Sequence, residues 1–255
     1  MLRPLSNPRT ARPGFDMGNP RAAYDGWHAQ VSAADALDTP WHRSVQRALD
    51  RERDLHGRRV LEIACGRGEL AAWCATRSRP SLFIAADFSM RAVCLARARV
   101  MDDAPIDGRL QFIQADAQAI ALPSSSVDTV ICCETIEHVR DPRSAVRELA
   151  RVLRPGGRLF LTTPNYLGPM GAYRGYLRLT GRRYTEEGQP INHFLIAPVV
   201  RRWVRRAGLR ILRADSTGHY LLWPRRQPRL LIDRTRWLSP FGLHAFTIAE
   251  KPLAP

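Results

Sequence analysis

RVLEIACGRGEL, residues Arg59–Leu70, is the stretch around which the rest of the chain is organised. It opens as a buried strand, because Val60, Leu61 and Ile63 are apolar and Val60 and Ile63 are β-branched. It breaks into a turn at Gly66 and Gly68, and from Leu70 to about Thr76 the Ala- and Trp-bearing sequence predicts a helix. Strand, glycine turn and helix in that order put bare backbone N–H groups beside a ligand.

Glu62 narrows the choice of ligand. A carboxylate in the strand that leads into the turn repels a pyrophosphate and suits a cation or an amino group. The third glycine of the dinucleotide fingerprint is missing. A second acid, Asp87, follows the apolar run Leu82–Ala86, about 20 residues on, where a doubly wound sheet places the carboxylate that takes both ribose hydroxyls. The ligand wanted has a ribose, a positive charge and no phosphate, and S-adenosylmethionine fits.

Glu62-Ile-Ala-Cys-Gly66-Arg-Gly68 resembles motif I of the class I S-adenosylmethionine-dependent methyltransferases. The likeness is close from about Val60 to Pro164 and looser towards the C-terminus. It implies an α/β fold: a Rossmann-like, doubly wound, seven-stranded sheet whose last strand is antiparallel, with an N-terminal helical segment and an insertion after strand 5. It also implies that S-adenosylmethionine is held by Glu62, Ala64, Cys65, Gly66, Gly68, Asp87, Phe88, Asp116, Ala117 and Glu134. Asp116, at the end of the third strand, matches the position that meets the adenine amino group. Ala64 stands where the family often has glycine; as the smallest replacement it is expected to tighten packing rather than abolish binding.

Length and charge set limits. A chain of 255 residues suits one domain with room for an insertion. We expect residues 1–20, rich in Pro, Arg and Asn, to be a disordered tail, residues 21–255 to form the domain, and 165–195 to cover the substrate. No apolar run reaches the length of a membrane span or a secretory h-region. The five cysteines, Cys65, Cys74, Cys94, Cys132 and Cys133, form no CxxC pair and are odd in number; they read as buried thiols of a cytoplasmic protein. A net charge of +15 points towards anionic partners, but Lys251 is the only lysine, and an arginine bias of this kind also follows from a GC-rich genome. RNA, an anionic substrate or peripheral contact with an anionic membrane would all be served.

Further elements follow in order. The resemblance implies that the N-terminal segment lies over cofactor and substrate, which makes Tyr24, Trp27 and Trp41 candidate pocket lining, the alternative being that they pack the first helix against the sheet; His42–Arg53 predicts a helix. Ser89 is an N-cap for a helix from Met90 to about Met101, and Arg109–Gln114 is the third strand. Val127–Cys133 is a fourth strand apolar enough to be buried on both faces, with Asp128 near its start. Asp141-Pro142 opens a helix that Pro155-Gly156-Gly157 stops, and Arg158–Thr163 is the fifth strand. Asn165–Phe194, with Tyr166, Tyr173, Tyr176, Tyr184 and His193, reads as an insertion that helps choose the acceptor. Pro198–Ala207 is a helix with Arg201, Arg202, Arg205 and Arg206 outward; Leu209–Leu212 and Leu243–Ala249 are the last strands. The basic segment 223–240 packs at the domain edge or touches a membrane surface or lipid-linked acceptor.

Methyl transfer needs an acceptor held against the methyl carbon, and a base where that acceptor must lose a proton. His138, after the fourth strand, and His193, in the insertion, are the candidate catalytic bases, with His28 a third. The segment Glu134-x-x-Glu137-His138 resembles that of ubiquinone-pathway O-methyltransferases, where such groups are associated with a divalent metal. The wider group carries the same pattern without one, so no metal ligand is assigned. The expected activity is methylation, at oxygen, of a small-molecule, lipid-linked or glycan-precursor acceptor. The alternatives are an RNA methyltransferase, although Cys133-Glu134-Thr135-Ile136 lacks the Pro-Pro motif of many base N-methyltransferases, and a non-catalytic binding protein on the same fold.

Overall fold

The computed structural model describes residues 19–30, 39–103, 108–181, 188–221, 229–232 and 241–253. The expected tail up to residue 18, Tyr184 and most of the basic segment 223–240 lie outside them. Seven strands form one sheet: β1 (Arg59–Ile63), β2 (Leu82–Asp87), β3 (Leu110–Gln114), β4 (Val127–Cys133), β5 (Leu153–Pro164), β6 (Arg210–Thr217) and β9 (His244–Glu250), in the order β3-β2-β1-β4-β5-β9-β6. The first five are parallel, and β9 runs antiparallel between β5 and β6. A two-stranded hairpin, β7 (His219–Leu221) with β8 (Arg229–Ile232), stands apart from it.

The apolar runs sort by alternation. Leu61, Ile63, Ile84, Val130, Cys132, Leu159 and Leu161 fill one face, beneath α5 (Pro142–Val152) and α7 (Ala197–Arg206). Val60, Phe83, Ala85, Ile131, Phe160, Phe246 and Ile248 fill the other, beneath α2 (Pro40–Ala48), α3 (Glu69–Arg77) and α4 (Met90–Asp103). The crossover β1–α3–β2 brings Gly66 and Gly68 and the end of β2 to one edge of the sheet, where open α/β sheets bind ligands. Ser89 caps α4, accepting from the N–H of Ala92 (3.1 Å), and Asp141 caps α5.

Several boundaries differ from expectation, each for a local reason. The helix expected over His42–Arg53 ends at Ala48. Asp50 then accepts from the N–H groups of Glu52 (3.0 Å) and Arg53 (2.8 Å) and starts a separate wide turn, Arg51–Leu55. That turn is anchored by Asp54, both of whose oxygens take Arg158 Nη1 at 2.8 Å. Pro155-Gly156-Gly157 does not end α5. Leu153 is already extended and pairs with Val127, so β5 starts before the glycines, with a bulge at Val127/Thr129. A Cβ on Gly157 would meet the carbonyls of Arg154 and Asp128 at 2.9 Å, so glycine permits close strand approach there. β6 extends to Thr217 because β9 offers it partners along that length. The insertion holds its own helix, α6 (Pro169–Leu179). Arg201 is half-buried rather than outward and donates to the Asp215 carbonyl (3.2 Å). Cys94 is exposed, unlike the buried Cys65, Cys74 and Cys132.

Candidate active site

The strand β1 delivers Glu62 into the core and then turns sharply. Ala64, Gly66 and Gly68 all take positive φ, at 59°, 55° and 78°. Gly68 is obligatory twice over, by its φ and because a Cβ there would lie 2.9 Å from that of Ala96 on α4. Above Gly66 a Cβ would meet nothing within 4 Å, so the turn faces open space. Ala64 has a side chain in a conformation that costs L-residues roughly 1 kcal/mol, so backbone strain is a further difference from glycine at this position. Cys65 is buried under the turn, and its N–H donates to the Ala86 carbonyl (2.9 Å), tying β1's exit to β2.

Asp87 closes the opposite side. Its Oδ2 accepts from the Gly66 N–H and its Oδ1 from the Ser89 N–H, each at 2.9 Å. These bonds fix the carboxylate, and each oxygen keeps a further lone pair for a hydroxyl donor. Burial pushes Asp87 up to about 6, against the lowering effect of the Ser89, Gly66 and Phe88 N–H groups. Burial also pushes Glu62 well above the usual carboxylate range, with Glu69 and Asp87 adding to it. Glu62 Oε2 is buried without a hydrogen-bond partner. Glu69, itself paired with Arg99 at 3.5 Å, and Asp87 thus crowd negative charge around the unpartnered oxygen of Glu62, an arrangement suited to seating a cation. A methionine-derived ammonium or sulfonium fits it. Asp116 extends the seat along the sheet edge: its Oδ1 takes the Gln118 N–H (2.8 Å) and Nε2 (3.0 Å), and no bond among the described residues occupies Oδ2. Ala117 is buried beside it.

A roof lies over this seat. The helix α1 (Pro20–Gln30) is locked to the start of α4, where Asp25 Oδ1 accepts from Ser89 Oγ (2.5 Å) and the Arg91 N–H (3.1 Å). Tyr24 meets the Phe88 ring edge-on, with centroids 6.0 Å apart, and its hydroxyl donates to the His138 carbonyl (2.7 Å). Arg67, in the glycine turn, donates to the carbonyl of His28 (3.2 Å). Tyr24 therefore bridges the ends of β2 and β4, and Phe88 is half-buried between roof and seat.

The chain after β4 carries the remaining candidates, and they diverge. Glu134 takes a left-handed backbone (φ 47°), and its Oε2 meets His244 Nδ1 at 2.8 Å. Glu137 Oε2 accepts from Thr163 Oγ1 (2.9 Å). His138 Nδ1 meets the Ile191 carbonyl at 2.7 Å, and burial pushes the imidazole down to about 4. The His193 N–H donates to the Glu137 carbonyl (2.7 Å), which docks the insertion onto this turn. His138 and His193 are thus brought together, whereas Glu134 is drawn away to β9. Among the described residues no three His, Cys, Asp or Glu side chains converge as a metal site. His244 was not singled out in the sequence: it lies 110 positions from Glu134, and only the antiparallel insertion of β9 makes them neighbours. Asp128, near the start of β4, serves the fold; its Oδ2 accepts from the Arg59 N–H (2.8 Å) and its Oδ1 pairs with Arg154.

Comparisons with known proteins agree with this geometry. A family model described as a methyltransferase domain matches residues 61–161. The chain is 32% identical over 211 residues to the ubiquinone biosynthesis O-methyltransferase of Xanthomonas oryzae pv. oryzae, covering 79% of this chain and 83% of that one. It is 33% identical over 134 residues to the methyltransferase GfsG of Streptomyces halstedii, covering 52% of this chain and spanning only 48% of that protein's length. Among solved structures, the magnesium protoporphyrin IX methyltransferase of Synechocystis PCC 6803, with bound SAH, superposes with a TM-score of 0.62 at 17% identity, covering 91% of this chain and 95% of that one.

Proposed function

The chain belongs to the S-adenosylmethionine-dependent methyltransferases, and on that premise we propose that it methylates an oxygen of a small-molecule acceptor, lipid-linked or glycan precursors included. The observation that carries the reading is the unpartnered Glu62 Oε2 at the floor of the glycine turn, roofed by α1. A polymer threading past would need an open groove; the Asp25–Ser89, Arg67–His28 and Tyr24–His138 bonds close this side instead. The 32%-identical relative named as an O-methyltransferase supports oxygen as the atom.

Bound S-adenosylmethionine supplies an activated methyl group. In this reading Glu62 faces its cationic end, Asp87 takes the ribose hydroxyls, the Gly66–Gly68 turn supplies close backbone, and Asp116 with Ala117 meets the adenine. Phe88 packs beneath Tyr24 and completes an apolar wall that excludes water. His138 is a positioning residue: an imidazole pushed down to about 4 is a poor base near neutrality, and its bonds tie the insertion to β4. His193 Nε2 is buried without a partner and lies on the insertion side, where it is suited to contact the acceptor.

The test is transfer of methyl label from S-adenosylmethionine into a cell extract that is then split into organic-soluble, polysaccharide, RNA and protein fractions. Label in the organic-soluble or polysaccharide fraction is expected. Label removed by RNase would transfer the assignment to RNA, the reading that the charge of +15 keeps open.

A further inference from the structure

His244 opens β9, beside the ends of β5 and β6, with Pro164 and Thr217 as its strand partners. That is the same edge of the sheet as the glycine turn. Its Nδ1 is held by Glu134 at 2.8 Å, and its ring packs against Trp41, with centroids 4.6 Å apart. Among the described residues the ring makes no second hydrogen bond, so Nε2 is left free. Glu134 is itself fixed: its N–H reaches the carbonyl and Oγ1 of Thr162, each at 3.1 Å, and its left-handed backbone turns the side chain off the regular strand path. Cys133, one residue earlier, lies in the electrostatic field of both Glu62 and Glu134, so the cation seat and this pair are neighbours across the end of β4.

A carboxylate on one ring nitrogen holds a histidine in one orientation and leaves the other nitrogen bare to accept a proton. Neither of the other histidines near the end of β4 has this arrangement. His138 spends Nδ1 on a backbone carbonyl and has Glu137 Oε1 3.6 Å from its Nε2, which leaves neither nitrogen bare, and the ring of His193 has no hydrogen bond among the described residues.

We propose that His244, oriented by Glu134 and backed by Trp41, is the catalytic base that takes the acceptor's hydroxyl proton during methyl transfer. This rests on the O-methyltransferase reading above. The acceptor oxygen bonds to the methyl carbon as the carbon–sulfur bond breaks; that electron pair stays on sulfur, and the hydroxyl proton goes to His244 Nε2 and then to water. Trp41, whose ring lies against the imidazole, offers an apolar wall for the acceptor's carbon skeleton.

The experiment compares wild type, H244A and E134Q for calorimetric S-adenosylmethionine binding and for label transfer to a protein-free extract, with and without added imidazole. It adds ¹⁵N NMR of the wild-type histidines. Expected are near-wild-type cofactor affinity in H244A, transfer slowed by roughly 100-fold or more, and partial rescue by imidazole in H244A but not in E134Q. In the ¹⁵N spectrum the neutral form of wild-type His244 should carry its proton on Nδ1, towards Glu134. Transfer by H244A within threefold of wild type overturns the proposal, and so does a wild-type His244 protonated on Nε2, a result independent of how the variants fold. A wild-type chain that binds cofactor and transfers no label overturns the O-methyltransferase reading as well, whereas transfer that persists in H244A overturns the base alone.

Discussion

At Asp87 a single carboxylate couples the glycine turn to β2, and its bonds to Gly66 and Ser89 make it the most exacting residue of the seat. Burial raises it to about 6, so the ligand-free folded chain keeps a proton that the unfolded chain releases near 4. In that window this group lowers stability as pH rises. Ribose hydroxyls donate to the charged form, so S-adenosylmethionine affinity should strengthen as pH rises through about 6 and level off above it. Calorimetry from pH 5 to 8 checks this, and an affinity independent of pH would remove Asp87 from the seat. Ala64 offers a separate check. Relief of its positive φ in A64G should stabilise the chain by roughly 0.5–1 kcal/mol, read by urea unfolding. A64G also frees the unfolded chain, which sets the upper limit of the gain. That Glu62, Gly66, Gly68 and Asp87 meet at one turn was legible in the sequence, because they lie within or about 20 residues beyond one local motif. His244 was not, because its partner is supplied by a strand pairing that no local periodicity encodes.

At the scale of elements, the turn Arg51–Leu55 is tied to the sheet by a buried ion pair between Asp54 and Arg158, by the Arg53–Glu250 pair (2.7 Å) and by the bond from Thr129 Oγ1 to the Asp54 carbonyl (2.7 Å). Asp54 is 1% exposed, and Arg158 bonds both of its oxygens from the start of β5's paired segment. Burial raises the Asp54 carboxyl in spite of that arginine, so the pair offsets a desolvation cost rather than adding net stability. R158A leaves that buried acid with the Asp50 N–H (2.8 Å) but no charge partner on the sheet and should cost about 3 kcal/mol, while R158M with D54L should recover much of the loss. Denaturant unfolding of the three variants measures it; equal losses in single and double variants would contradict the pairing. The turn was not visible in the sequence, where His42–Arg53 has helical spacing throughout. Asp50 breaks it by capping the next turn. The glycines after α5 misled in the opposite sense. Pro-Gly-Gly is a helix stop in isolation, but β4 captures Leu153 first, and sheet pairing overrides the local signal.

Across the whole molecule, the parallel strands were legible as apolar runs, whereas the antiparallel last strand was legible only through the resemblance carried by the Glu62–Gly68 motif. The N-terminal segment was expected over the site from the same resemblance; the bonds that lock it there were not, since α1 contacts the ends of two strands through single polar bonds rather than a repeating pattern. Roof and body share two buried imidazoles, His28 on α1 and His138 beneath Tyr24. Burial pushes both down to about 4, from an ordinary value near 6.5. The unfolded chain therefore binds protons first on acidification. Their contribution is complete above about pH 6.5 and is lost as pH falls towards 4, at most about 3 kcal/mol for each. Melting temperatures across that range should fall for wild type and fall less steeply for H138Q.

Calorimetric titration of S-adenosylmethionine into wild type and D87A tests most directly whether the Arg59–Leu70 turn and Asp87 seat the methyl donor. One-to-one binding by wild type and a loss of 100-fold or more in D87A are expected, with the variant still folded by circular dichroism. Unchanged affinity in D87A, or no binding by wild type, would contradict this seating of the donor.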